Sequence, residues 1–347
     1  MARSSESSIS NTRRNTSTAL RKFWTASRAW RIFMNVLQRK RLVSHELVEL
    51  AARQPQAFAE LSERHYRGRI DAIAQEILAS GRPIVMLTGA SAAGKTTSAH
   101  KLAEAIGAKG RRSVVLSLDD FFVGAGRYPK NHDGSDDYES LQALDLPVLQ
   151  RCLGELYRDG VCQAPVFDFC LQRPNGVQQI DRRGGVVIIE GLHALNPALT
   201  EKLPEDAVFC LYAGLREEYA GPDGSRFLAT RDIRLARRLV RDYLFRGHGA
   251  SFTLGLWGHV CAGEDRFIKP YKPRADLLLD TTHTYEVCLW RNVLDAMPPD
   301  PALTATQRRQ LDALCAKFAA FPALDTALVP QDSMLREFIG AGRRGAE

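Results

Sequence analysis

The run Gly89, Ala90, Ser91, Ala92, Ala93, Gly94, Lys95, Thr96, Thr97 fills the pattern Gly-x-x-x-x-Gly-Lys-[Ser/Thr], and each demanded residue has a physical task. Gly89 and Gly94 let backbone amides turn inward around phosphate oxygens. Lys95 adds a mobile positive charge, and the Thr96 hydroxyl is suited to Mg²⁺. Such a loop holds a nucleotide; moving its phosphoryl group needs other residues. Asp119 and Asp120 stand in the run Ser-Leu-Asp-Asp-Phe-Phe at 117–122, and Glu190 ends the apolar run Gly-Gly-Val-Val-Ile-Ile-Glu. Transfer to an alcohol requires a carboxylate that orients the hydroxyl and takes its proton. A second carboxylate at a strand end is placed to reach Mg²⁺ directly or through water. The bland alternatives are a capped turn for the tandem aspartates and a surface strand end for Glu190. In residues 230–249, Arg234, Arg238 and Arg241 share one helical face, so the helix can close over a triphosphate as a lid. Its alternative is a solvated basic face paired with Asp232 and Asp242.

These groups converge only if strands and helices alternate. Apolar runs at 83–87, 113–118, 185–189, 207–212 and 275–280 read as strands, and their continuity predicts a parallel sheet covered on both faces. Helical patterns fall at 58–80, ending at Gly81, at 95–108, and at 147–158, the last opened by Asp145 as a cap and Pro147 in the first turn. The phosphate motif then sits between a strand and a helix, and both acidic runs sit at carboxyl ends of strands, which in a doubly wound sheet open onto one crevice.

The chain of 347 residues is 45% hydrophobic and 25% charged, enough for a substantial core. No run reaches the length of a membrane span, and the N-terminus lacks the apolar core of a secretory signal. The seven cysteines form no Cys-x-x-Cys pair and read as reduced residues of a cytoplasmic protein. The net charge of +7 is concentrated: residues 1–41 hold ten Lys or Arg against Glu6 alone, and the remainder holds 37 basic and 39 acidic residues. The body is therefore not expected to bind nucleic acid. The leader reads as a disordered stretch followed by an amphipathic helix through Leu20, Phe23, Trp24, Trp30, Phe33, Met34 and Leu37. Its composition also fits a mitochondrial transit segment or contact with an anionic membrane or RNA.

The runs TGASAAGKTT, SLDDFF, DDYESLQALD, APVFDF, VVIIEGLHALNP, RDIRLARRLVRDYLFRG and FIKPYKPRADLLLD occur in this order. Over roughly residues 58–280 the chain thereby resembles the uridine kinase and phosphoribulokinase family, and VPQDSMLREFIG is similar to the end of the longer bacterial uridine kinase-like proteins. The resemblance implies an α/β fold of the P-loop NTPase type: a three-layer, doubly wound parallel sheet with an arginine-bearing helical lid and a C-terminal helical cap. The expected divisions are a leader at 1–44, a kinase domain at 45–295 and the cap at 296–347.

It further implies ATP as donor, Mg²⁺ held by Thr96 and Glu190, and Asp119 as the base, first in the family's Asp-[Ser/Asp]-aromatic-aromatic pattern. Lys95 and Arg238 join the catalytic groups, while residues 89–97, Arg234 and Arg241 contact the donor; which lid arginine meets the γ-phosphate stays open. For the acceptor, a small molecule of nucleoside type, Asp119, Glu139, Phe167, Gln172 and Arg173 are the implied contacts. Here the chain departs from the family. Tyr138, Glu139, Ser140 and Leu141 stand where uridine kinases carry an Asp-His-Pro run after an aromatic residue. Cys170, Leu171, Gln172 and Arg173 follow Phe167, Asp168 and Phe169 where those kinases carry a histidine. The expected activity is transfer of the γ-phosphoryl group to the 5′-hydroxyl of a uridine- or cytidine-like nucleoside. Rivals are a kinase of a phosphorylated sugar or other small alcohol, and a nucleotide-binding regulator without turnover.

Overall fold

Alternate residues of the central strands face opposite cores. In strand β2 (Ile84–Gly89), Val85 and Leu87 pack into one buried cluster while Ile84 and Met86 pack into another. In β6 (Val186–Glu190), Val186 and Ile188 join the first and Val187 and Ile189 the second. Unbroken apolar runs are what such two-sided burial demands. The computed structural model describes residues 40–132 and 134–340; the helix expected at 20–37 lies outside them.

β3 (Ser113–Ser117), β7 (Val208–Gly214) and β10 (Leu277–Asp280) complete a five-stranded parallel sheet in the order β10-β7-β2-β6-β3. All five expected strands are present, with bounds shifted by at most two residues. Helix α2 (Pro55–Ser80) stops at Gly81 in the left-handed conformation, and α3 (Lys95–Ala108) starts where the phosphate motif ends. α4 (Leu146–Arg158) begins with Asp145 accepting from the Val148 amide at 3.2 Å, a side-chain cap for an otherwise orphaned donor. Among the described residues, no helix is long and apolar enough to cross a membrane.

Two further sheets were not anticipated. β4 (Val161–Asp168) and β5 (Arg173–Asp181) form an antiparallel hairpin; β5 is mostly exposed and polar, so it lacks the apolar signal of the central strands. A second sheet, ordered β1-β8-β9, joins β1 (Arg41–Val43) to β8 (Glu217–Ala220) and β9 (Arg226–Leu228). Residues 40–43, assigned to the leader by their charge, are therefore part of this fold. Lys40 reaches Glu218 at 2.6 Å and Arg41 reaches Asp280 at 2.9 Å, so acids of the body fix their positions.

α1 (His45–Ala52), α5 (Thr230–Arg246) and α6 (Ala250–Gly263) line the same side of the sheet as α2 and α3, and α7 (Ala305–Ala319) precedes a C-terminal segment. That segment enters the core: Phe321, Met334, Leu335 and Phe338 are all buried in the first cluster. Below it, Glu63 accepts from the hydroxyls of Tyr285 and Ser333 and faces His283 at 3.5 Å, which holds its pKa down at about 2 despite burial. Through Phe338 the segment thus packs inside the molecule. Phe338→Ala is expected to cost roughly 3–5 kcal/mol in urea unfolding, the range for deleting a buried aromatic side chain. A loss below about 1 kcal/mol would show that the segment contributes little to the core.

Candidate active site

A loop that turns its amides inward leaves its carbonyl oxygens pointing out, and buried carbonyls need donors. Lys95 Nζ donates to Ala90 O at 3.3 Å, Arg234 Nη1 to Ser91 O at 3.1 Å, and Arg237 Nη1 to Ala92 O at 3.3 Å. Arg238 Nη1 donates to the Ser91 hydroxyl at 2.8 Å. Gly94 has φ +77°, and a Cβ there would stand 2.6 Å from Met334 Sδ; at Gly89 it would stand 2.3 Å from Ala213 O. Gly89 is therefore required by its close approach to the Ala213 backbone, and Gly94 by its left-handed conformation. Thr97, next to the motif's Thr96, donates to Glu337 Oε2 at 2.6 Å, so the C-terminal segment also braces the start of α3.

Sheet register sets the acids. Glu190 lies opposite Leu87 of β2 and Ser117 of β3, and its Oε1 accepts from Thr96 Oγ1 at 3.1 Å and Ser117 Oγ at 3.2 Å. Burial raises the Glu190 pKa, against the nearby Lys95 charge. This oxygen-only group fits a hard cation such as Mg²⁺. Among the described residues, no group of three or more His, Cys, Asp or Glu is arranged to hold a metal ion.

Asp119 and Asp120 lie in a one-turn 3-10 helix after β3. Asp119 is open to solvent in the cleft, yet the surrounding protein raises its pKa, opposed by Lys95 and Arg246. Asp120 does other work: it accepts from the Phe167 amide at 3.3 Å and the Gln178 side chain at 3.4 Å, tying the hairpin to the sheet.

The arginines of α5 divide similarly. Arg234 is buried between Ser91 and Glu264, with Nη2 to Oε2 at 2.6 Å, and Arg237 is fully buried on Glu286, with contacts at 2.7 and 2.8 Å. Arg237, which sequence reasoning passed over, supports the loop and stacks on Phe338 at 4.9 Å. Arg238, Arg241 and Arg246 gather around the buried Asp242 at 3.2, 3.2 and 3.3 Å. Asp242 also accepts from Thr253 of α6 at 3.2 Å, so the basic face is organised by a buried acid.

Beside Arg238 opens a cavity of about 650 Å³, lined by Tyr138, Glu139, Phe252, His259, Arg266 and Phe267 among others. Burial pushes Glu139 up to about 7, against the charges of Arg238 and Lys95, and the carboxylates of Asp137 and Asp119 push the same way as burial. Lys95, Asp119, Glu139 and Arg238 thus share one electrostatic neighbourhood. The other expected acceptor contacts do not line this cavity. Phe167 packs on Phe122 at 5.8 Å and Phe169 at 5.2 Å. Gln172, at φ +52°, spends its side-chain amide on Phe169 O at 2.9 Å, and Arg173 is exposed at the hairpin. The α6 wall was missed because its sequence is apolar around the helix; its exposed Phe252 and Leu256 were the available signal.

With a folded pKa of about 7 against the ordinary 4.5, Glu139 favours the neutral form, so its stabilising contribution is present below pH 4.5 and lost as pH rises through 7. Glu139→Gln, which mimics the neutral form, is expected to match wild type at pH 4.5 and to exceed it by roughly 2–3 kcal/mol at pH 8 in denaturant titrations. Equal stability of the two proteins at pH 8 would place the carboxylate in a well-solvated position.

The model of the Phosphoribulokinase / Uridine kinase family matches residues 84–209. Uridine kinase of Lactobacillus helveticus is 26% identical over 201 residues, covering 57% of this chain and 86% of the relative. Uridine kinase of Deinococcus deserti is 26% identical over 200 residues, 57% and 87% of the two chains. Among solved structures, phosphoribulokinase of Rhodobacter spheroides superposes with a TM-score of 0.40 at 15% identity, covering 56% of this chain and 68% of its own. Residues 84–209 thus match the phosphoribulokinase and uridine kinase family, and the relatives indicate an ATP-dependent phosphotransferase.

Proposed function

We propose that this protein transfers the γ-phosphoryl group of ATP to the 5′-hydroxyl of a nucleoside of the uridine or cytidine type. The observation that carries the reading is that Glu139 and Arg238 line one cavity, that Arg238 also donates to Ser91 of the phosphate loop, and that Glu139 feels the charges of Lys95 and Asp119. In this reading the loop amides and Lys95 grip the donor phosphates, Asp119 orients the acceptor hydroxyl and takes its proton, and Glu139 accepts from sugar hydroxyls. Arg238 and Arg241 spread positive charge over the group in transfer, while Arg234 keeps the loop in shape. Thr96 and Glu190 would hold Mg²⁺, which when bound neutralises charge on phosphoryl oxygens. Tyr138, Phe252 and Phe267 offer the aromatic surface that a base requires. The cytoplasmic setting expected from the cysteines belongs to the same proposal.

A second reading has its own observation: the cavity wall also carries Arg266 and His259 beside Arg238, which suits an acceptor bearing a phosphate. ADP release should be followed with nucleosides, sugars and sugar phosphates, each against the acceptor-free background. Stimulation by uridine or cytidine of at least tenfold is expected. Stimulation by a sugar phosphate alone would replace the acceptor, and hydrolysis indifferent to every acceptor would leave a nucleotide-binding regulator.

A further inference from the structure

The sheet that sequence reasoning missed builds a second cavity, of about 500 Å³, against Ala90 and Ala93 of the phosphate loop. It shares no lining residue with the cavity at Glu139. Lys40, Arg226 and Glu218 come from β1, β9 and β8 or their margins, Tyr212 and Arg216 from the end of β7, and Lys269 and Lys272 from the turn before β10.

Its charges do not balance. Glu218 is shared by Lys40 at 2.6 Å and Arg226 at 3.3 Å. Glu264 is taken by Arg234 at 2.6 Å, with Lys269 at 3.7 Å and Arg231 at 3.8 Å. Arg216 and Lys272 have no acidic partner within ion-pair distance among the described residues. Arg216 is 5% exposed, and its Nε and Nη2 are buried with no hydrogen-bond partner. Asp280, the acid electrostatically coupled to it, is already engaged by Arg41 at 2.9 Å and Arg69 at 3.9 Å. The guanidinium of Arg216 and the ammonium of Lys272 both lie over the ring of Tyr212, at 5.6 and 5.2 Å, so two cations share one aromatic ring. Burial, with the charges of Arg216, Lys40 and Lys269, pushes Lys272 down to about 8. A buried cation without a counter-ion is costly, and an anion in the cavity removes that cost.

We infer that this cavity is a second anion site, beside the phosphate loop, that takes the phosphoryl group of a small phosphorylated molecule between Arg216 and Lys272. A flat neutral base is a poor occupant, because the Tyr212 ring already takes two cations and the lining leaves positive charge unpaired. A phosphoryl group offers several acceptor oxygens at full charge to the arginine and lysine. The proposal does not depend on which acceptor the kinase uses.

The test uses the full chain, with the phosphate loop first saturated by a non-hydrolysable ATP analogue, and inorganic phosphate as the titrant in calorimetry. One further phosphate per chain is expected to bind. Lys272→Gln and Arg216→Gln should each weaken it by tenfold or more, while leaving affinity for the analogue within twofold. If Arg216→Gln does not fold, the half-buried Lys272 carries the test. Three results overturn the proposal: no phosphate bound beside the analogue, displacement of one by the other, which would make the cavity part of the donor site, or affinity for phosphate unchanged in Lys272→Gln.

Discussion

A phosphate loop can present its amides to an anion only if its carbonyls are satisfied elsewhere, and much of this molecule is arranged around that requirement. Ser91 O and Ala92 O accept from Arg234 and Arg237. Each arginine brings a buried charge that must itself be paired, which Glu264 and Glu286 do. Glu286 lies on the turn after β10 and Glu264 at the end of α6, so the loop is tied to the far edge of the sheet and to the helix that walls the cavity at Glu139. Removing one partner of such a pair is strongly destabilising, because it strands the other charge. The helix that would serve as a lid is thus partly a fixed buttress, with Arg234 and Arg237 held in place by Glu264 and Glu286.

The same economy separates holding from moving. Glu190 is drawn to the loop by sheet register, opposite Leu87 and Ser117, while Asp119 stands one turn beyond β3, open to the cleft. Asp120 and Asp119 are sequence neighbours with opposite fates. One is consumed by the Phe167 amide and the Gln178 side chain, and the other leaves its side chain exposed to solvent.

Elements carrying a continuous apolar signal were legible in the sequence. The five central strands, α3 and the Asp145 cap follow from two-sided burial and local capping chemistry. What stayed hidden depends on contacts distant in the chain. β1 is three residues in a basic segment, and it is a strand because β8 pairs with it across 176 positions of sequence. Arg237 looked like one more cation of a basic helix, and only the fold shows it at 0% exposure on Glu286. The α6 wall of the cavity at Glu139 escaped for a different reason: Phe252 and His259 are at helical spacing, but the segment is apolar all round and marks no one face, and the turn chemistry that claims the Gln172 side chain has no sequence signal of its own.

The most direct measurement compares ATP affinity with acceptor-dependent kcat in Asp119→Asn and Asp120→Asn. A carboxylate that only takes a proton should leave ATP binding nearly unchanged when replaced, while kcat falls by roughly 10² to 10⁴. Asp120→Asn should retain most of its turnover, since it acts through the hairpin. An Asp119→Asn enzyme with undiminished kcat would contradict the assignment of the base and the division of labour built on it.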